Sequence, residues 1–191
     1  RKYTDATRPK HINPALSHLN SVIIEPLPAK ELRRIVDERR KDRQRALKSN
    51  AVLLWRGIIT FSIPAQQIMN NLSKDEQDRI FHNIAKSIAD FLNTDLDSLV
   101  VHRDESALHA HFTLIAFTKD GKSLTTVIQP STLPKLQDIA AEHVAYLGIS
   151  RGIPKQKRLE MGHDEHEVIH KSVRQLHFEL QEELEEKKKL V

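Results

Sequence analysis

No cysteine occurs among the 191 residues, which excludes disulfide bracing, thiol catalysis and cysteine-type zinc sites and agrees with a reducing compartment. Glycine is scarce, with 5 in all, so there is little material for a loop that cradles a nucleotide. Neither G-x-x-x-x-G-K-S/T nor G-x-G-x-x-G is present. No apolar run approaches the ~18 residues that a membrane helix requires. Nor does a basic start lead into an apolar stretch and a small-residue cleavage site. The expectation is a soluble, cytoplasmic protein without an internal repeat. The first residue is Arg1 and not Met, so further residues are expected to precede it.

An apolar content of 39% over this length suits one domain with a sizeable core. The net charge of +4 permits a polyanionic partner without demanding one, and its distribution is more informative. Arg33, Arg34, Arg39, Arg40, Lys41, Arg43, Arg45 and Lys48 crowd one segment, and Lys155, Lys157 and Arg158 form a second cluster. Such runs are either solvated helix faces or contacts to a phosphate backbone.

Along the chain, residues 1–10 read as a polar arm, and Val22–Ile24 reads as a strand stopped by Pro26 and Pro28. Residues 29–49 are good helix formers with a thin apolar stripe. The most apolar strand candidate is 52–62, which is expected at the centre of a sheet. Ser73 and Glu76 form a capping box ahead of a helix through Asn93, on which Ile80, Phe81, Ile84, Ile88, Phe91 and Leu92 recur at helical spacing. Ser131 or Thr132 opens another helix that Gly148 stops, with His143 at the edge of its apolar stripe. The order of helices and hairpin-joined strands predicts an α+β fold on an antiparallel sheet, with the helices packed mainly on one face.

Residues 98–129 read as three short strands, Leu99–Val101, Phe112–Ile115 and a third beyond the Asp120–Gly121 turn. Three histidines occupy this stretch. His109 and His111 share one face of their strand because side chains alternate. A turn over 104–108 would bring His102 beside them. Converging imidazoles suit a divalent ion such as Mn, Zn, Ni or Cu and leave coordination positions open for substrate oxygens. The simpler alternative is polar positions on an outward face.

The sequence HRDESALHAHFTLIAF, residues 102–117, resembles the H-x-D-E-x-x-x-H-x-H metal motif of plasmid mobilisation relaxases of the MobV (Mob/Pre) family. INPALSHLN, residues 12–20, is similar to a second element of that family, and LGISRGIP, residues 147–154, resembles its link from a helix to a basic loop. The resemblance implies the catalytic domain of a His-hydrophobe-His endonuclease, which nicks and rejoins one DNA strand at a transfer origin through a covalent 5′-phosphate intermediate. It implies one divalent metal at His102, His109 and His111, manganese in the first place, with Mg, Zn or Ni as alternatives. Glu105 would orient a ligand or move a proton, and Asp104 would support a histidine. Arg1 and Lys2 join Arg33, Arg34, Arg39, Arg40, Lys155, Lys157 and Arg158 as expected DNA contacts. The expected DNA is single-stranded and hairpin transfer-origin DNA, and the expected protein partner is a conjugation coupling protein.

The family's nucleophilic histidine would lie just upstream of Arg1. Within the sequence, Tyr3 is the candidate, and His18 is the nearest histidine. Two other functions stay open: a non-catalytic metal-containing DNA-binding module, and a metal-dependent nuclease that uses water. Residues 1–163 are read as the catalytic domain. Residues 164–191 are read as a helix whose apolar spacing permits either packing on the sheet domain or a coiled coil, and so a homodimer. His163, His166 and His170 follow at i, i+3 and i+7, a helical spacing, and are read as solvated.

Overall fold

The computed structural model describes residues 12–43 and 46–162, and the chain divides into two units, Arg1–Arg151 and Gly152–Val191. The first unit opens with a 3-10 helix, Pro14–Leu19, in which Asn13 caps by accepting from the Ala15 amide. Strand β1 (Ser21–Ile24), helix α1 (Ala29–Arg39) and strand β2 (Leu54–Thr60) follow. Helices α2 (Ile63–Asn70) and α3 (Lys74–Phe91) lead to strands β3 (Leu96–His102) and β4 (His109–Ile115). The unit ends with α4 (Leu124–Val127), α5 (Leu133–Glu142) and a short 3-10 turn, Ala145–Leu147. In the second unit the described residues form α6 (Lys155–Glu160).

The four strands make one antiparallel sheet in the order β1-β3-β4-β2. Leu99, Val101, Ala110, Phe112, Leu114 and Ile59 point to one face, where they pack with Ile80, Phe81, Ile84 and Ile88 of α3 and Met69 of α2. The expected capping box on α3 is present: the Ser73 hydroxyl accepts from the Glu76 amide, and the Glu76 carboxylate accepts from the Ser73 amide. On the other face α1 covers only one end, burying Leu32 and Val36 against Ile115 and Phe117. Among the described residues the remainder of that face is uncovered.

Three expectations need correction. Among the described residues the 52–62 segment is an edge strand, since β2 pairs there with β4 alone. Its apolar residues serve two different purposes: Ile59 enters the core, whereas Ile58 is 60% exposed on the open face. The third strand of the meander does not form. The turn closes as expected, with the Gly121 amide on the Thr118 carbonyl, but strand pairing lasts for the single bridge Phe117 to Ser123. Burial of Leu124 then winds the chain into α4. Helix α1 ends at Arg39, ten residues before the expected stop. A further helix, α2, occupies the stretch behind Pro64, which at the first turn of a helix costs no hydrogen bond. Gly121 needs its φ of +77°, and a Cβ there would stand 2.3 Å from the Arg39 carbonyl oxygen.

Candidate metal centre and nucleic-acid face

The register sets the histidines. His102 lies opposite His109, and Val100 lies opposite His111, so all three imidazoles leave the sheet on its open face. Their ring centroids are 5.0–5.2 Å apart, with His102 and His109 stacked and His111 edge-on to both. The Nδ1–H of His109 donates to the Ala107 carbonyl at 2.8 Å. That contact fixes the tautomer and leaves Nε2 with its lone pair outward. The Nε2 atoms of His109 and His111 are 3.2 Å apart. Two nitrogens bound to one ion at about 2.05 Å stand roughly 2.9–3.4 Å apart for angles between square and tetrahedral. The donor set therefore fits a divalent cation.

The turn between the strands adds carboxylates. Ligand atoms of His102, Asp104 and Glu105 lie within 4.8 Å of one another. Asp104 is 5% exposed. Its Oδ2 accepts from the Ser17 hydroxyl at 2.7 Å, and its Oδ1 has no hydrogen-bond partner among the described residues. Oδ1 faces His102 Nδ1 at 3.6 Å, close to where a supporting acceptor belongs when the opposite nitrogen binds metal. Burial raises the Asp104 pKa, but the Ser17 hydroxyl and the nearby Asn20 amide outweigh it and hold the carboxyl below its ordinary range.

His111 is pushed below the usual histidine value. Loss of solvent around the ring on burial is the main cause, followed by the charges of His109 and His102. Glu105 opposes the shift and Arg56 adds to it. The ring is thus desolvated on its packed side, although the residue as a whole is exposed.

Sequence reasoning missed how the two motif segments join. The 12–20 element is the scaffold of the metal turn: the Asn13 amide donates to the Asp104 carbonyl at 2.7 Å, Ser17 holds its carboxylate, and the Asn20 side chain accepts from the Arg103 amide at 2.7 Å. Arg103 completes the anchor, donating to Asp78, Ser21 and Gln77. The co-occurrence of the two motifs was the available signal.

The expected DNA contacts fall in different settings. Arg34 is exposed, and Arg33 pairs with Asp37 on the same helix. Arg39 is turned inward: its guanidinium donates to Thr94, to the Phe117 carbonyl and to Asp95, with its side chain only 8% exposed. A solvated phosphate contact is not where this residue stands, because its donors satisfy the end of the core. Arg40 stacks on Phe117 with its Cζ 5.0 Å from the ring centre. Lys155, Lys157 and Arg158 belong to α6 of the second unit, where Lys157 is exposed. Arg1, Lys2 and Tyr3, and likewise His163, His166, His170 and the helix expected over 164–191, lie outside the described residues. His18 is exposed on the 3-10 helix. His143 is tied by Nε2 to the Ser87 hydroxyl at 2.8 Å, as suits a residue at the edge of the core.

A family model described as plasmid recombination enzyme, Mob_Pre, matches residues 1–168. A comparison with curated protein sequences returned no match. Among solved structures, a manganese-bound MobM relaxase domain (MOBV; Mob_Pre) on plasmid pMV158 oriT DNA, crystallised at pH 5.5, is similar with a TM-score of 0.65. The match has 23% identity and covers 88% of this chain and 84% of that one. The same domain on oriT DNA with a 3′ thiophosphate, at pH 6.8, gives a TM-score of 0.60 at 22% identity, covering 91% and 83%. A complex with 26-nucleotide DNA gives 0.55 at 20% identity, covering 84% and 88%. At these identities the likeness is one of fold. No helix among the described residues is long and apolar enough to cross a membrane.

Proposed function

The chain belongs to the plasmid recombination enzyme family, and from that premise we propose that it is a relaxase, nicking and rejoining one strand of a plasmid transfer origin. The observation that carries this reading is the convergence of three imidazoles on an open sheet face, one tied to the Ala107 carbonyl and another facing a buried carboxylate at 3.6 Å. His102, His109 and His111 would hold the ion, manganese by likeness to the metal of the MobM complexes. When bound, it supplies Lewis-acid stabilisation of a non-bridging phosphate oxygen.

The chain's own residues orient and move protons. Asp104, itself held by Ser17, has its Oδ1 3.6 Å from His102 Nδ1, where it would accept from that nitrogen and leave the ring's Nε2 to the ion. Glu105 lies in the same turn and takes the proton of the attacking group. The attacking side chain is Tyr3 or, as the family resemblance implies, a histidine preceding Arg1. It forms a bond to phosphorus, the bond from phosphorus to O3′ breaks, and the departing 3′ oxygen takes a proton in turn, so that the one Glu105 removed is balanced by the one the leaving group receives from it. The 5′ phosphate stays on the protein, so the phosphodiester energy is conserved and attack by a 3′ hydroxyl reverses the step. Water as the attacking group would forfeit that reversal. Arg1, Lys2, Arg33, Arg34, Lys157 and Arg158 would serve single-stranded or hairpin DNA. In the cytoplasm a coupling protein would receive the loaded strand, and residues 164–191 would offer a dimer contact.

The test is nicking of a supercoiled plasmid carrying its own transfer origin by the full-length protein with Mn²⁺. Open circles should accumulate with the wild type and not with a His109→Ala/His111→Ala variant. Equal nicking by both would remove the cluster from the reaction.

A further inference from the structure

Arg56 is the residue of the open face that the fold leaves without employment. It stands on β2 opposite Thr113, and Thr113 is two residues from His111 on the same face of β4, a step of about 7 Å along a strand. Arg56 therefore projects one row below the imidazole cluster, between it and the end of the sheet that α1 covers. It is exposed, and no hydrogen bond or ion pair engages its guanidinium among the described residues. Its row neighbours are otherwise committed: the Thr113 hydroxyl donates to Asp97 at 2.9 Å and contacts the Ser98 hydroxyl at 2.7 Å.

The row between Arg56 and the two-histidine row is apolar apart from His111. Val22, Val100 and Ile58 lie across the sheet beside it, with Val22 53% and Ile58 60% exposed. An exposed apolar row flanked by a free guanidinium on one side and a cation site on the other has the alternation of a nucleic-acid strand: anionic phosphates at both ends and an apolar sugar or base between them. A second protein would bring a chain of mixed sign and would gain nothing from the cation site.

Resting on the relaxase reading above, we propose that Arg56 binds the DNA phosphate adjacent to the one held at the histidine cluster, with Ile58 seating the intervening nucleoside. Arg56 is a positioning residue. It fixes the register of the strand so that one phosphate and no neighbour reaches the cluster. The fork of an arginine suits a phosphate with two parallel donors, which a lysine in its place would not reproduce.

The test uses the 191-residue chain and a fluorescent single-stranded oligonucleotide spanning the plasmid's own nick region. In a series of otherwise identical oligonucleotides, one phosphate at a time is replaced by a neutral methylphosphonate. Arg56→Gln should weaken binding about tenfold, as loss of a hydrogen bond to a charged group implies, and lower the slope of log affinity against log salt by about one. Neutralising the phosphate next to the nick should weaken the wild type similarly and leave Arg56→Gln unaffected. Arg79→Gln removes the same charge from α3, on the other face of the sheet, and should change neither quantity. Arg56→Lys should recover the salt slope but only part of the affinity. Metal affinity by calorimetry should not fall in Arg56→Gln, since the charge removed has the sign of the ion, and this separates a DNA contact from damage to the cluster.

If the wild type binds DNA and Arg56→Gln matches it, or if the variant responds to every methylphosphonate as the wild type does, the assignment of Arg56 is overturned and the relaxase reading stands. A wild type that binds no DNA overturns both.

Discussion

Replacing Asp104 by Asn removes the charge of a carboxyl that the fold buries to 5% exposure between Ser17 and His102. The amide keeps the shape and one acceptor, so the loss is of charge assistance in the Ser17 bond and of the acceptor facing His102 Nδ1. Hydrogen bonds to charged groups contribute about 1.5–3 kcal/mol, and with the amide retaining part of this the metal-free chain should lose about 1–2 kcal/mol. For a chain of this size that lowers Tm by roughly 2–8 °C. The effect on metal should be larger, since residues that orient a ligand typically change affinity about 10- to 100-fold.

The pH dependence has a definite sign. The folded-state pKa of Asp104 is lowered, so its contribution is present above the unfolded value of about 3.9 and is lost as pH falls through the folded value. Melting curves of the metal-free wild type and Asp104→Asn should therefore differ at neutral pH and converge in acid. Calorimetric titration with Mn²⁺ gives the second quantity. A variant that is destabilised but binds metal with wild-type affinity would show that Asp104 braces the turn and does nothing for His102, and unchanged values of both would refute the account of this carboxyl.

Three further outcomes are expected. His109→Ala/His111→Ala should abolish binding of one Mn²⁺ at neutral pH in a calorimetric titration; in the wild type, affinity should fall in acid as protons compete with the ion for the imidazoles. Gly57→Ala should cost about 1–3 kcal/mol in chemical denaturation, because its Cβ would stand 2.2 Å from the Phe112 ring and push β2 off β4. Asp120, which hydrogen bonds from Thr118 and Lys122 push down to about 2, should stay ionised through a carboxyl NMR titration until well below the range of ordinary carboxylates.

The histidine cluster was legible because the period of a strand is two and does not depend on the rest of the chain. His109 and His111 had to share a face, and one short turn sufficed to bring His102 to them. The α3 helix was legible for a similar reason, since Ser73, Glu76 and the apolar spacing all agree locally. Position within the sheet was not, because an apolar run such as 52–62 looks alike whether its second face meets a helix or, as with Ile58, an open ligand face. Residues 122–129 have the composition of a strand, and the burial of Leu124 by distant parts of the chain decided for a helix. Charge misled at Arg39, where only the fold reveals Asp95, Thr94 and the Phe117 carbonyl waiting for its guanidinium. Ser17 and Asn20 could not be assigned to Asp104 from spacing, since more than eighty residues separate them.

The central claim, that the cluster serves strand transfer by a protein side chain, is tested most directly by looking for protein on the cleaved strand. Full-length protein, Mn²⁺ and an end-labelled single-stranded transfer-origin oligonucleotide are incubated, denatured and resolved by gel electrophoresis. The account predicts a metal-dependent adduct on the 5′-phosphate end of the fragment lying 3′ to the break, absent with His109→Ala/His111→Ala, and its reversal when an oligonucleotide with a free 3′ hydroxyl is added. Cleavage that releases a free 5′ phosphate with no adduct at any time would contradict it.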